Sequence, residues 1–489
     1  MKHTTLIVAL FLGTALLWSQ SDKEKVEATV QKSEIEGHIY FLSDDLLQGR
    51  ETGTPQNKIA ASYLANMLRG YGAQPNPATG TYYQEVLLNR KSPPANLQVT
   101  LGGKALEALA PLEARASTYE GEAVYVGHGM ESDYDGKTVA GKFVITKAGS
   151  AAAQDARSAF RLVAQKETLA REKGALGIIE ILTAEETMWG FIEHDLNNPR
   201  FSVAGGETPE AADFDYIWVR DASGQLTESL QPEMPLRYQS GGQLLDTLRS
   251  QNVVGVVEGT DPVLKDEYII YSAHYDHVGI GKPDEAGDSI YNGARDNAVG
   301  TTTVLSMAEN LSRYPTKRSA LFILFTGEEK GLLGSQYYVE NPVLPLNKMV
   351  YCFNSDNGGY NDTGLATIIG LTRTTAESHI REAVAAFGLK AIEDPAPEQG
   401  LFDRSDNVHF ARKGIPAPTF SMGFSAFDAE IGKYYHQPRD EAGSLDFDYL
   451  LKFFRAYVMA GRLLGNAPDT PVWKAGDTYE AAGKALYGD

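Results

Sequence analysis

Six positions in the second half of the chain carry side chains able to hold a metal ion or move a proton: His274, Asp296, Glu328, Glu329, Asp356 and His436. Each falls at or just after the expected C-terminal end of a strand, or in the loop that follows, where open α/β sheets build their sites. His274 stands in the segment Ser272 to Gly279, and Asp276 follows it by two residues. That spacing lets Asp276 accept the imidazole N–H that a metal would leave free, which fixes the tautomer. Alone, a His-x-Asp occurs by chance as readily as by design. Asp296 lies in a Gly-flanked turn, Asn292 to Gly300, and by itself reads as a helix N-cap. The buried run Leu321 to Gly327 leads straight into Glu328 and Glu329. Adjacent carboxylates at a strand end point in different directions, so one can bind a metal while the other handles a proton. Asp356 ends the run Met349 to Asn354, and His436 is followed by Asp440 as a candidate orienting carboxylate.

Neighbouring groups read as structural. His277 fits a structural histidine better than a residue of a pocket rim. Cys352, on the strand face of Asn354 and Asp356, fits a buried inert thiol. Asp133 to Gly136 mimics the opening of a calcium loop but lacks the downstream glutamate, so it reads as a turn. Glu193, His194 and Asp195 sit in a polar insertion and read as solvated surface.

The elements that must position these groups are legible from pattern. Apolar runs at 253–257, 268–272, 320–325, 349–353, 366–369 and 417–421 are expected strands buried on both faces. Amphipathic stretches at 301–313, 376–387 and 445–464 are expected helices, and Ile59, Tyr63, Leu64, Met67 and Leu68 recur at helical spacing before Gly70 and Gly72. Residues 95–245 have another texture, with short β-rich pieces at 122–126, 142–146 and 177–181 between Gly and Asp turns. The fold class is α/β: a three-layer α/β/α architecture on a mostly parallel mixed sheet, with an inserted β-rich domain.

Composition removes several functions. The 489 residues are 43% hydrophobic and 22% charged, which is globular. The net charge of −20 comes without any basic block, so nucleic acid and anionic membrane surfaces are not expected partners. One cysteine excludes an intramolecular disulfide framework and any Cys-built zinc site. Lys2 followed by the apolar run Leu6 to Trp18 reads as a signal peptide over residues 1–20, cleaved near Ser19 or Gln20. No cysteine lies there to take a lipid, and no later run is long enough to span a bilayer. The expectation is an exported protein without a membrane anchor, periplasmic or secreted.

In order, the six positions read His, Asp, Glu-Glu, Asp, His. Together they resemble the di-zinc exopeptidase family (peptidase clan MH) that includes bacterial leucyl aminopeptidase, aminopeptidase Y, glutamate carboxypeptidase II and the glutaminyl cyclases. The segment Phe41 to Gly53 resembles that family's N-terminal signature, and Glu120 to Ile181 resembles a protease-associated domain. The resemblance implies a discontinuous peptidase domain at 21–94 and 246–489 around a protease-associated insert at 95–245. It implies two Zn²⁺ ions, with His274 and Asp356 on one, Glu329 and His436 on the other, and Asp296 between them. Glu328 would be the general base and Asp276 a supporting catalytic residue, acting on a peptide substrate. An aminopeptidase is the implied activity; a glutamate-releasing carboxypeptidase and a catalytically inactive receptor-like protein are the rivals. The carboxypeptidase would need a cationic pocket, with Arg295, Arg373, Arg404 and Arg439 as sources. Two departures from the pattern bear on specificity: Arg295 precedes Asp296 where an acid is frequent, and Asn407 stands where His is frequent.

Overall fold

The computed structural model describes residues 20–205 and 212–488, so all but the last residue of the expected signal peptide lies outside the described residues. The chain forms two compact units, Met1–Gln84 with Gln251–Asp489, and Glu85–Ser250.

The first unit is built on a mixed sheet. Its strands are β1 (Leu244–Val257, of which Val253–Val257 pairs here), β2 (Tyr268–His274), β3 (Ser319–Phe325), β4 (Met349–Ser355), β5 (Leu365–Ile369), β6 (Lys390–Ile392) and β7 (Thr419–Met422). They lie in the order β6-β5-β7-β4-β2-β3-β1. The pairs β2/β3, β2/β4, β4/β7 and β5/β6 are parallel, and β1/β3 and β5/β7 are antiparallel. Alternation divides the central strands between two cores. Tyr271, Phe322, Leu324 and Phe353 face four helices: α1 (Pro55–Tyr71), α2 (Gly300–Arg313), α3 (Glu377–Ala386) and α4 (Phe447–Asn466). Ile270, Leu321, Ile323 and Cys352 face the other way, with Tyr338, Phe410 and Trp473. The three layers expected from the apolar runs are present.

The helices have local causes. Thr54 caps α1 by accepting from the Asn57 N–H, Pro55 opens it, and Gly72 at φ +96 closes it. Asp446 caps α4 through the N–H groups of Asp448 and Tyr449. On α4 the inward residues Leu450, Phe453, Phe454, Tyr457 and Val458 fall three and four apart, and Tyr457 stacks on Phe353 with ring centroids 4.7 Å apart. Among the described residues, no helix is long and apolar enough to cross a membrane.

The second unit holds an eight-stranded sheet in which Ala116–Tyr125, Phe143–Lys147, Gly177–Leu182 and Asp215–Arg220 are adjacent and parallel where they pair in sequence. It also holds two helices that the β-rich texture did not suggest, Ala156–Glu172 and Glu186–Leu196. The first was masked by Lys166, a fully buried lysine on its inward face. Lys166 forms a close ion pair with the equally buried Glu180, and its Nζ also donates to the Lys147 carbonyl at 2.9 Å. Glu180 further accepts from the Tyr216 hydroxyl and the Trp218 indole, each at 2.6 Å. Removing one member of such a pair strands the other charge in the core. Lys166→Met is expected to destabilise this unit by about 3–5 kcal/mol, read as a lowered urea midpoint; a loss below about 1 kcal/mol would mean that the pair carries no buried charge.

Candidate metal centre

Strand β2 lies between β3 and β4, so the chain reverses its direction of growth across the sheet there and opens a crevice at the carboxyl ends. His274 is the last residue of β2, Glu328 and Glu329 follow β3, and Asp356 follows β4. Asp296 arrives from the loop before α2 and His436 from the segment before α4. The loop before Asp296 turns at Gly293 with φ +61, where a Cβ would run into the Asp296 carbonyl and the His277 ring. All six sequence-predicted groups line one cavity.

Asp296 stands at the centre. Its Oδ1 lies 3.3 Å from His274 Nε2, and its Oδ2 lies 3.1 Å from His436 Nε2. His274 Nε2 is also 3.2 Å from Asp356 Oδ1, and His436 Nε2 is 3.1 Å from Glu329 Oε2. The donors thus fall into three overlapping groups: His274 with Asp296 and Asp356, His436 with Asp296, Glu329 and His277, and His274 with Glu328 and Glu329. Glu328 stands off, with Oε2 4.0 Å from His274 Nε2. His274 is buried while the His436 side chain is 36% exposed, so the centre opens to solvent on the His436 side. His436 is held at φ +52, a left-handed conformation that is uncommon for a residue with a Cβ.

The two adjacent glutamates are driven apart electrostatically. Burial, helped by the Asp356 and Glu329 charges, lifts the Glu328 carboxyl well above the ordinary range in spite of His274. Burial and Asp296 push Glu329 the same way, but His436 and His277 outweigh them and bring it down to about 2. Neighbouring carboxyls in such different states suit different tasks, proton transfer and cation binding. His274 is pulled down by burial and pushed well above its usual value by Glu328, Asp356 and Asp296.

The supports differ from the sequence expectation in three places. Asp276 does not hold the His274 ring with its carboxylate: Nδ1 lies 3.2 Å from the Asp276 main-chain carbonyl and 3.9 Å from Oδ1. Its carboxylate accepts instead from the Thr52 hydroxyl at 2.7 Å and from the N–H groups of Glu328 and Glu329 at 3.2 and 3.4 Å. Asp440 does not reach His436. It accepts from the N–H groups of Arg295 and Asp296 and from the Arg295 guanidinium, so it braces the loop that carries Asp296. His277, read as structural, places Nδ1 2.7 Å from Glu329 Oε1 and leaves Nε2 buried without a partner. A three-residue offset from His274 gave no sign of this, because it depends on the turn after β2.

Arg50 and Thr52 were seen only as part of the N-terminal segment Phe41 to Gly53. The buried Arg50 guanidinium donates to the carbonyls of Tyr275, Leu42, Asn292 and Gly293, tying the end of β2 to the loop of Asp296. Asn407 is buried, donates to the Ala417 carbonyl and lies outside the cavity lining, whereas Arg404 and Ser405 of the same segment line it. Cys352 is buried, and burial lifts its thiol to about 12, as an inert thiol requires. Asp133 accepts from the N–H groups of His128 and Met130 within a turn. His194 is exposed, and among the described residues the second unit supplies no member of a candidate metal group.

The charge state of the stripped protein follows. Burial works against the His436 proton, but Glu329 and Asp296 raise the imidazole from 6.5 to about 10. A raised folded value adds stability that is fully present below 6.5 and is lost as pH rises through about 10. Asp406, lifted by burial to about 7, acts with the same sign. The Tm of chelator-treated protein is therefore expected to fall between pH 6.5 and 10; a Tm that climbs across this window would show that the imidazole is neutral in the fold.

Residues 252–460 match the profile of peptidase family M28. Aminopeptidase YwaD of Bacillus subtilis is 31% identical over 198 residues, 39% of this chain and 39% of that protein. Aminopeptidase Y of Saccharomyces cerevisiae is 25% identical over 224 residues, 42% of this chain and 37% of that protein. The chain therefore spans about two fifths of the length of the curated relatives it matches. The aminopeptidase from Aneurinibacillus sp. strain AM-1 superposes with a TM-score of 0.60 at 21% identity, over 93% of this chain and 98% of that one, which is a likeness of fold. The match to the profile of peptidase family M28 thus takes in all six of the candidate site residues.

Proposed function

We propose that the protein is a zinc-dependent aminopeptidase that releases N-terminal residues from peptides. The observation that carries this reading is the carboxylate of Asp296, which faces His274 with one oxygen and His436 with the other. Imidazole and carboxylate donors suit Zn²⁺ and need no thiolate. His274 and Asp356 would hold one ion, Glu329 and His436 the other, and Asp296 both. The ions supply Lewis acidity, which polarises a carbonyl and acidifies water. Glu328, farther from His274 than Asp296 or Asp356 and with a carboxyl primed to hold a proton, takes the proton of the attacking water and passes it to the leaving amine. Asp276 keeps both glutamates in place through their N–H groups.

The carboxypeptidase rival loses most of its cations. Arg295 is spent on Asp440 and Ser444, Arg373 on Asp477, and Arg439 lies outside the cavity lining, 4.0 Å from Asp284. Retention of Glu328 beside the donors argues against an inactive receptor. We read residues 95–245 as a protease-associated insert that supplies no ligand, and the N-terminal segment as an export signal to the periplasm or medium.

Two experiments test the reading. Glu328→Gln is expected to keep both metals and lower kcat by about 10²–10⁴-fold, with KM changing less. Glu329→Ala is expected to lose metal as well as rate. Elemental analysis beside steady-state kinetics separates them, and metal loss in Glu328→Gln with retention in Glu329→Ala would exchange the two roles. For the activity itself, leucyl-anilide hydrolysis should vanish with chelator and return with Zn²⁺, and N-acetylated peptides should resist cleavage. Release of the C-terminal residue from an N-blocked dipeptide would make the enzyme a carboxypeptidase.

A further inference from the structure

The cavity has two unlike ends. One is the acidic and imidazole cluster; the other is a wall of Ile369, Phe424 and Ile431, with Tyr435 packed against it. Among the described residues, the lining includes one guanidinium, that of Arg404. The chain has 64 acidic against 44 basic residues, so an arginine without an acidic partner is against the odds, and the other three candidate arginines are satisfied or lie elsewhere. Arg404 is exposed, and among the described residues its guanidinium has a single side-chain contact, the Tyr435 hydroxyl at 3.4 Å, with no carboxylate at ion-pair distance. Tyr435 stacks on His436 with ring centroids 4.2 Å apart and planes inclined by 18°. The free guanidinium is therefore one tyrosine removed from the metal-donor set.

We propose that Arg404 is a carboxylate-binding subsite, so that the cavity selects peptides that carry a carboxylate close to the scissile bond. The proposal rests on the aminopeptidase reading. A guanidinium has five N–H donors in a fork that matches a carboxylate, and here it spends one on a long contact. The far end of the cavity repels anions and attracts the substrate ammonium, so a substrate with an ammonium at one end and a carboxylate at the other is oriented by both. Two peptide carboxylates have the right chemistry: the side chain of an N-terminal Asp or Glu, and the C-terminus of a dipeptide.

The test compares kcat/KM for glutamyl- against glutaminyl-anilide, and for Leu-Gly against Leu-Gly-amide, in wild type, Arg404→Ala and Arg439→Ala. In one arm the carboxylate is expected to be favoured by about 10- to 100-fold, as for a hydrogen bond to a charged group. Arg404→Ala should bring that ratio close to one, while Arg439→Ala leaves it unchanged. The arm that responds identifies the carboxylate. Ratios near one in both wild-type arms, or a preference that survives Arg404→Ala, overturn the proposal. Failure to hydrolyse any substrate with a free N-terminus would defeat the aminopeptidase reading instead. Calorimetric binding of L-glutamate against L-glutamine to the Zn²⁺-loaded proteins then reads the side-chain preference without turnover.

Discussion

Negative charge crowded into a buried space is the constraint on which this molecule turns. Asp296, Glu328, Glu329 and Asp356 line one cavity, with Asp276, Asp406 and Asp440 buried in the same unit. Two like charges 4 Å apart repel by about 4 kcal/mol at the effective dielectric of such sites, so the cluster persists only where each carboxylate is answered or, like Asp406, pushed by burial toward its protonated form. The answers here are of three kinds. Histidines contact Asp296, Asp356 and Glu329 directly. Main-chain N–H groups answer Asp276 and Asp440. Arg50 contributes a positive charge that Asp296, Asp276, Asp440 and Glu329 all feel, although burial, only partly offset by these carboxylates, lowers its affinity for the proton to about 10. Divalent cations are the remaining answer, and they fit the donor groups around Asp296.

The sheet makes this crowding affordable in conformational terms. Parallel β2, β3 and β4 end at nearly one level, with His274 opposite Phe325 in the β2/β3 register and Ser272 opposite Asn354 in the β2/β4 register. Three adjacent strands thus deliver three of the site's segments without any loop having to travel far. Only Asp296 and His436 come on longer connections, and these are the two that receive dedicated braces. Asp440 pins the Asp296 loop from one side and Arg50 from the other, while Tyr435 stacks behind His436.

What could be read in the sequence follows from range. The strands with apolar runs buried on both faces, the amphipathic helices and the chain order of the six site residues are local patterns, and the structure brings those six residues to one cavity. The braces are not local. Arg50 lies far in sequence from the carbonyls of Tyr275 and Asn292 that it joins, and no spacing rule connects them. Asp276 and Asp440 were assigned by proximity in sequence to His274 and His436, but each spends its carboxylate on main-chain N–H groups, because a short loop turns a carboxylate inward more readily than it reaches a ring. Lys166 hid a helix for the opposite reason: its charge breaks the apolar period although the side chain is buried, the compensating Glu180 being on a strand 14 residues away.

Arg295 shows how one substitution of type redistributes these roles. A carboxylate before Asp296 would add to the crowding; an arginine subtracts from it, but only if its charge stays near. It does so by lying between Tyr360 and Tyr434, with its guanidinium 5.4 and 3.6 Å from their ring centres, and by binding Asp440 and Ser444. With the side chain buried and both terminal guanidinium nitrogens occupied, only Nε lacks a partner, and Arg295 is closed to substrate. Its charge is therefore a fixed part of the scaffold, offsetting Asp440 and steadying the loop that presents Asp296. The consequence reaches the other end of the cavity. With Arg50 and Arg295 both consumed in bracing the metal centre, the recognition of any anionic part of a substrate falls to the one guanidinium of the lining that the scaffold leaves unclaimed, that of Arg404.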